Sequence, residues 1–423
     1  MQDMAAVLAQ RGFEVTALVD LDLAQARQAV DRFAQTVKAA SDDATVLFYF
    51  SGHGVQVDAE NLLVAAGVNP TAAPETILKG SLVLGPDVMA RLPRPAKGLL
   101  ITVVDACRTN LRAPTPGEGL NQVEAPPGCL IAFSTGAGKP ALAPAVETVN
   151  TFYTAALVKQ LGSASDELTF SDLFRLAKLD TQRTMLNHPV ALIRQFAQFP
   201  FIAENLPVPV LLAQRPAATP AATAVAAAVK RFSSEDESRD WASLQATLWP
   251  PDVLRQADTY LTRYPDSKLA GGALVAREGA SESAALLAKG EIRLFRRSFD
   301  PAAAGGAGGS TGGGYGSSPG YGTANTASVD EAYRAELLKA ARGDKDAAAR
   351  IARRWRSAAA AGTEASRYEG WLQYAAELGN GIASYELALH YRRLDQPQAA
   401  ARWEARSREL GYTPPPSLDN RRK

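Results

Sequence analysis

Apolar residues recur at three-to-four spacing across residues 23–40, where Leu23, Ala26, Val30, Phe33 and Val37 share one face. That period predicts an amphipathic helix. Shorter runs behave differently. Val46 to Phe50, Leu99 to Val104 and Cys129 to Phe133 are nearly continuous apolar stretches, the pattern of parallel strands covered on both faces. Residues 13–19 predict another strand after a short amphipathic helix that ends near Arg11, and further helices are predicted near 151–160 and 170–185. Helices alternating with strands over residues 1–205 predict an α/β sandwich around a mostly parallel sheet.

The pattern then changes. Residues 206–233 are dominated by Ala, Pro, Thr and Val and read as a linker. A small helical region is predicted over 234–300. Residues 301–328 carry Gly-Gly, Gly-Ser and Ser-Pro pairs, cannot bury enough apolar surface to offset their ordering entropy, and read as a flexible tether. Residues 329–412 are Ala-rich, with Ala365-Ser366-Arg367-Tyr368-Glu369 echoed by Ala383-Ser384-Tyr385-Glu386 and glycines at 362, 379 and 411 after helical runs, which predicts stacked helical hairpins. Residues 413–423 are left as a tail.

Composition narrows the classes. The chain has 423 residues, 46% hydrophobic and 21% charged, with net charge +1. No global field draws it to nucleic acid or an anionic membrane. The N-terminal Met1-Gln2-Asp3-Met4-Ala5-Ala6-Val7-Leu8 lacks the basic start and longer apolar core of a secretory signal, and no stretch reaches the roughly 20 apolar residues of a membrane span. As written, the chain is expected in the cytoplasm, or in the periplasm or outside the cell if its true start lies upstream. Cys107 and Cys129 are too few for a disulfide framework and lack zinc-site spacing.

The chemistry sits at two strand ends. Ser51-Gly52-His53-Gly54 closes one apolar run and Asp105-Ala106-Cys107-Arg108 closes another. In a parallel sheet both ends meet at the same edge, so a thiolate–imidazolium pair can form. An unassisted thiol with a pKa near 8.5 is only about 3% ionised at neutral pH, and His53 is the group able to lower that value. The flanking glycines let backbone approach a substrate carbonyl, making the N–H groups of Gly54 and Cys107 oxyanion-hole candidates. Plainer readings stand beside these. His53 could be a satisfied structural histidine, Cys107 an inert buried thiol, the two a partial metal site short of ligands, and Asp105 a cap or a partner of Arg108. No metal or other cofactor is expected, and nothing indicates a calcium requirement.

These two motifs, in this order and spacing, resemble the caspase and metacaspase clan of cysteine peptidases, in its bacterial caspase-like branch. The interval agrees with the roughly 50 residues expected for caspases. Phe133-Ser134-Thr135 and Tyr153-Thr154-Ala155-Ala156-Leu157 extend the resemblance, which covers about residues 1–205. It implies a three-layer sandwich with Cys107 as nucleophile and His53 as general acid/base. Asp105 matches the acid that lines the primary specificity pocket of metacaspase-like members and selects Arg or Lys, with Ser134 as a pocket wall. On that reading Arg108 and Arg112, in the Pro- and Gly-rich loop 108–128, are candidate self-cleavage sites. The resemblance also implies a first strand and an Asn-Asp turn ahead of the helix at Met1, both absent here, so the first strand is expected to be missing.

Residues 257–267 resemble the helix-ending segment of tetratricopeptide-like units, and 329–412 resemble shorter repeats of that superfamily. Such hairpins imply peptide or protein partners. Two functions therefore stand as expectations: a cysteine endopeptidase cutting after Arg or Lys, or a catalytically impaired scaffold acting through its helical repeats.

Overall fold

Two β-sheets and a long series of helices make up the computed structural model. It describes residues 2–57, 60–69, 72–106, 109–110, 123–136, 141–142, 149–213, 234–301, 326–360 and 365–412, with backbone alone at 109–110, 326–330, 358 and 360. The chain divides into two units, residues 1–231 with 408–423, and residues 232–407.

In the first unit, α1 (Gln2–Gln10) and α2 (Leu23–Ala39) precede β1 (Thr45–Gly52), the hairpin strands β2 (Gly54–Val57) and β3 (Glu60–Val64), α3 (Pro74–Lys79), and β4 (Ser81–Val83). Then come β5 (Leu99–Ala106), β6 (Thr109–Asn110), β7 (Cys129–Phe133), α4 (Phe152–Ser163), α5 (Phe170–Leu186), α6 (Ala191–Gln195) and β8 (Phe201–Asn205). The main sheet has the order β1-β5-β7-β8, parallel except for the last pair. The second, of order β4-β3-β2-β6, grows from the end of β1.

Every residue of β5 is buried, and alternation along it explains the two apolar faces. Leu99, Ile101 and Val103 pack with α1, α4 and α5, whereas Leu100, Val104 and Ala106 pack with α2. The result is the α/β sandwich predicted from the strand and helix pattern, in the three layers that the resemblance implies. Helix α2 starts where Asp22 accepts the Gln25 amide at 2.8 Å and Gln25 reaches back to the Asp22 amide at 3.1 Å, a reciprocal cap.

Two expectations change. Residues 13–19 form no strand: they pair with no ladder, and Val15, Leu18 and Val19 are exposed. A run of β-formers becomes a strand only where a neighbouring edge receives its hydrogen bonds, which no sequence pattern reports. Residues 207–213, linker-like by composition, belong to the packed unit. Leu212 is buried, its amide donates to the Leu168 carbonyl at 2.8 Å, and Phe170 donates to Val210 at 2.9 Å. Residues 214–233 lie outside the described residues, as do 302–325 of the Gly-rich stretch, and a helix Thr326–Ala340 begins within the predicted tether.

The second unit is all helical: Glu235–Ala246, Pro250–Arg263, Ala270–Ala288, Thr326–Ala340, Lys345–Ala360, Ala365–Glu377, Gly381–Arg393 and Pro397–Glu409. Segments on both sides of 302–325 share one core, in which Phe299 meets Trp371 and Tyr374 with ring centroids 4.8 and 6.1 Å apart. Its helices touch closely enough to exclude side chains. A Cβ on Gly279 would lie 1.9 Å from the Arg342 carbonyl oxygen.

Candidate active site at the carboxyl edge of the sheet

The site is set by strand register. In the parallel β1–β5 pair, Ser51 lies opposite Asp105 and Gly52 opposite Ala106. Beyond that edge the same two chain segments pair again, with Val55 opposite Thr109 and Gln56 opposite Asn110. Between the two ladders one segment contributes His53-Gly54 and the other Cys107-Arg108. Cys107, Arg108 and Arg112 themselves lie outside the described residues.

His53 is exposed, and its carbonyl accepts the Val64 amide at 3.0 Å. That bond fixes the backbone where β1 passes into the β2–β3 hairpin. It also makes His53–Val64 a hydrogen-bonded rung, so at the next position, Gly54 opposite Leu63, the Gly54 N–H points away from β3.

Behind this edge lies a buried polar network. Asp105 has 2% of its surface exposed. Its Oδ2 accepts the Thr154 hydroxyl at 2.5 Å and also the Thr151 hydroxyl. Thr151 caps α4, accepting the Thr154 amide at 3.0 Å, so the carboxyl group sits at that helix's amino end, where the dipole favours negative charge. Because Thr154 gives its proton to the carboxylate, Tyr49, 2.5 Å from the same hydroxyl, donates to Thr154. Burial nonetheless outweighs these donors and raises the Asp105 pKa above the ordinary carboxylate value. Tyr49 is pushed up by burial first and by the Asp105 charge second, and Tyr153 in the same way, so both phenols stay protonated.

The other oxygen, Asp105 Oδ1, is buried with no hydrogen bond of ordinary length, and the neighbouring Ser134 hydroxyl favours the ionised form of the carboxyl group. Ser134, one residue past β7, donates its amide to Val104 at 3.0 Å and is fully buried. Ser51, Asp105 and Ser134 thus occupy successive positions across three parallel strands. The structure brings together His53, Gly54, Asp105 and Ser134 of the sequence-derived set. Sequence reasoning gave no site role to Tyr49, Ser51, Thr151 or Thr154, although Ser51 and Thr154 stand inside the motifs and Thr151 at the start of a predicted helix.

Cys129 lies away from this edge. Cys129 opens β7 at the opposite end of the sheet, opposite Leu100, and burial raises its thiol pKa. His188 meets the Phe152 ring edge-on at 5.7 Å, and its Nδ1 accepts the Val190 amide at 3.2 Å. Among the described residues no group of three His, Cys, Asp or Glu side chains could hold a metal ion, and no helix is long and apolar enough to cross a membrane.

Comparison with known proteins gives a family match and a structural neighbour. Residues 1–210 match the family model described as the caspase domain. Among solved structures, caspase-1 from Spodoptera frugiperda is similar at 17% identity and a TM-score of 0.36, covering 52% of this chain and 81% of that one. No curated protein sequence matches the chain. The match to the caspase-domain model implies, at a coarse level, function of the cysteine-peptidase type, and such proteases act on protein or peptide substrates. The sheet of three parallel strands and one antiparallel strand, flanked by helices, has a caspase-like fold, and residues 1–210 match the caspase-domain model.

Proposed function

We propose that the caspase-like domain is a cysteine endopeptidase that cuts after Arg or Lys, with Cys107 as nucleophile and His53 as general acid/base. The observation that carries this reading is the double register. Ladders at Gly52–Ala106 and Val55–Thr109 tie the two segments together on both sides of His53 and Cys107.

In the reaction, His53 holds the proton taken from the Cys107 thiol. The thiolate attacks the scissile carbonyl carbon, and its oxygen gains negative charge beside the Gly54 and Cys107 N–H groups, each donor worth on the order of 3 kcal/mol. Imidazolium then gives its proton to the departing amine as the C–N bond breaks, leaving a thioester. Water, deprotonated by His53, attacks the thioester, and the thiol departs with the carboxylic acid product formed.

Asp105 supplies the basic preference. Its Oδ1 is a buried acceptor with no hydrogen bond of ordinary length, and a substrate guanidinium or ammonium would satisfy it. Ser134 stands beside it as pocket wall. Arg108 and Arg112 would then be cut by a second molecule or by the same one.

The test is hydrolysis of fluorogenic peptide amides ending in Arg, Lys or Asp by wild type and Cys107→Ala. Cleavage after Arg and Lys that falls at least a thousandfold in the variant is expected. Equal rates in both proteins would remove the peptidase reading, and preference for Asp would remove the role given to Asp105.

A further inference from the structure

In the helical unit, an apolar groove of about 300 Å³ opens where helix Ala270–Ala288 ends and helix Pro250–Arg263 begins. Leu287, Ile292 and Leu294 line its apolar surface, and Trp249 and Phe295 contribute aromatic walls. Phe295 is 56% exposed, a large ring left in water at the mouth of a concavity. The strap carrying Ile292 to Phe295 is held down by close backbone approach: a Cβ on Gly370 would lie 3.1 Å from the Arg293 carbonyl oxygen.

Charge gathers at this strap although the chain as a whole is nearly neutral. Between 289 and 297 the sequence has Lys289, Arg293, Arg296 and Arg297 against Glu291 alone. Arg296 is held by Asp252 at 2.5 Å. Among the described residues, Lys289, Arg293 and Arg297 make no salt bridge within 4 Å, although Arg293 lies near enough to Glu369 to help lower its pKa, and Arg297 lies over the Phe295 ring at 5.7 Å. Arg293 itself lines the groove.

We propose that this groove docks an acidic peptide segment of a partner protein, with one aromatic or branched aliphatic side chain in the groove and carboxylates on Lys289, Arg293 and Arg297. A concave site with aromatic walls selects a discrete anchor, whereas a flat apolar face suits a membrane surface. The cationic rim sets the sign of the flanking residues and favours acidic over basic sequences. Arginine beside exposed aromatic surface is the composition found at interface hot spots.

The test uses the full chain carrying Cys107→Ala, so that no probe is cut and the outcome is independent of the peptidase reading. The probe is a fluorescein-labelled peptide Asp-Glu-Phe-Leu-Asp-Glu, followed by anisotropy against Asn-Gln-Phe-Leu-Asn-Gln and Lys-Arg-Phe-Leu-Lys-Arg. The acidic probe is expected to bind at least tenfold more tightly than either control. Binding should weaken at least tenfold in Arg293→Ala/Arg297→Ala and in Phe295→Ala, and it should weaken on raising salt from 50 to 300 mM. Phe295 is exposed, so its truncation leaves the core intact, which thermal unfolding checks. No binding, equal binding of the three peptides, or binding unchanged in the variants would overturn the proposal. So would phosphatidylserine vesicles, or a second copy of the chain detected by sedimentation, occupying the surface in a Phe295-dependent way while the acidic probe does not.

Discussion

Replacing Asp105 by Asn separates the two roles this carboxyl group has in the account. The substitution keeps an oxygen to accept the Thr151 and Thr154 hydroxyls and removes a charge that burial penalises. The folded pKa lies above the unfolded one. The group's contribution to stability is therefore fully present below the unfolded pKa and declines as pH rises through the folded value. Relative to wild type, Asp105→Asn should gain stability between about pH 4 and neutrality, measured as urea midpoints at fixed pH, and should lie within about 1 kcal/mol of wild type at the acid end. Activity should move the other way. A cationic substrate group loses its charged partner at Oδ1, a loss of about 3–4 kcal/mol, or 10²–10³ in kcat/KM for Arg substrates. An Asn variant that cleaves Arg peptides as well as wild type would refute the pocket argument. One whose stability tracks wild type at every pH would refute the burial argument.

Other parts of the structure give sharper mechanical tests. Thr154→Val removes the hydroxyl between Tyr49 and Asp105 and takes one donor from the buried carboxyl group, which should cost about 1–2 kcal/mol in urea unfolding and lower turnover of Arg peptides roughly tenfold. Leu212→Ala should cost about 2–4 kcal/mol, because the residue is in the core, whereas a linker residue would change the midpoint hardly at all. Gly279→Ala gains about 1 kcal/mol of helix propensity yet drives a Cβ to 1.9 Å from the Arg342 oxygen. A net loss of roughly 3 kcal/mol is expected for the helical unit, read as an earlier thermal transition.

How far the sequence foretold this molecule depends on which force shaped each element. Strands β5 and β7 were legible because burial on both faces leaves a nearly continuous apolar run, and α2 because its apolar face repeats at helical spacing. Residues 13–19 look the same on paper and differ only in lacking a neighbour to pair with. Leu212 was hidden because Pro207-Val208-Pro209 reads as linker, and only contact with Leu168 shows otherwise. At the site, motifs marked His53 and Asp105, while Tyr49 and Thr154 lie far apart in sequence and meet only through the fold. The short strands β2, β3 and β6 carry the second ladder, yet few residues each leave little periodic signal.

The central claim is the proposed pairing of the Cys107 thiol with the His53 imidazole. Alkylation of Cys107 by iodoacetamide across pH 5–10, quantified by mass spectrometry of the Cys107 and Cys129 peptides, reads this directly. The account predicts that Cys107 reacts with an apparent pKa well below about 8.5 in wild type and near that value in His53→Ala, while buried Cys129 stays slow in both. Identical Cys107 profiles in the two proteins would contradict it.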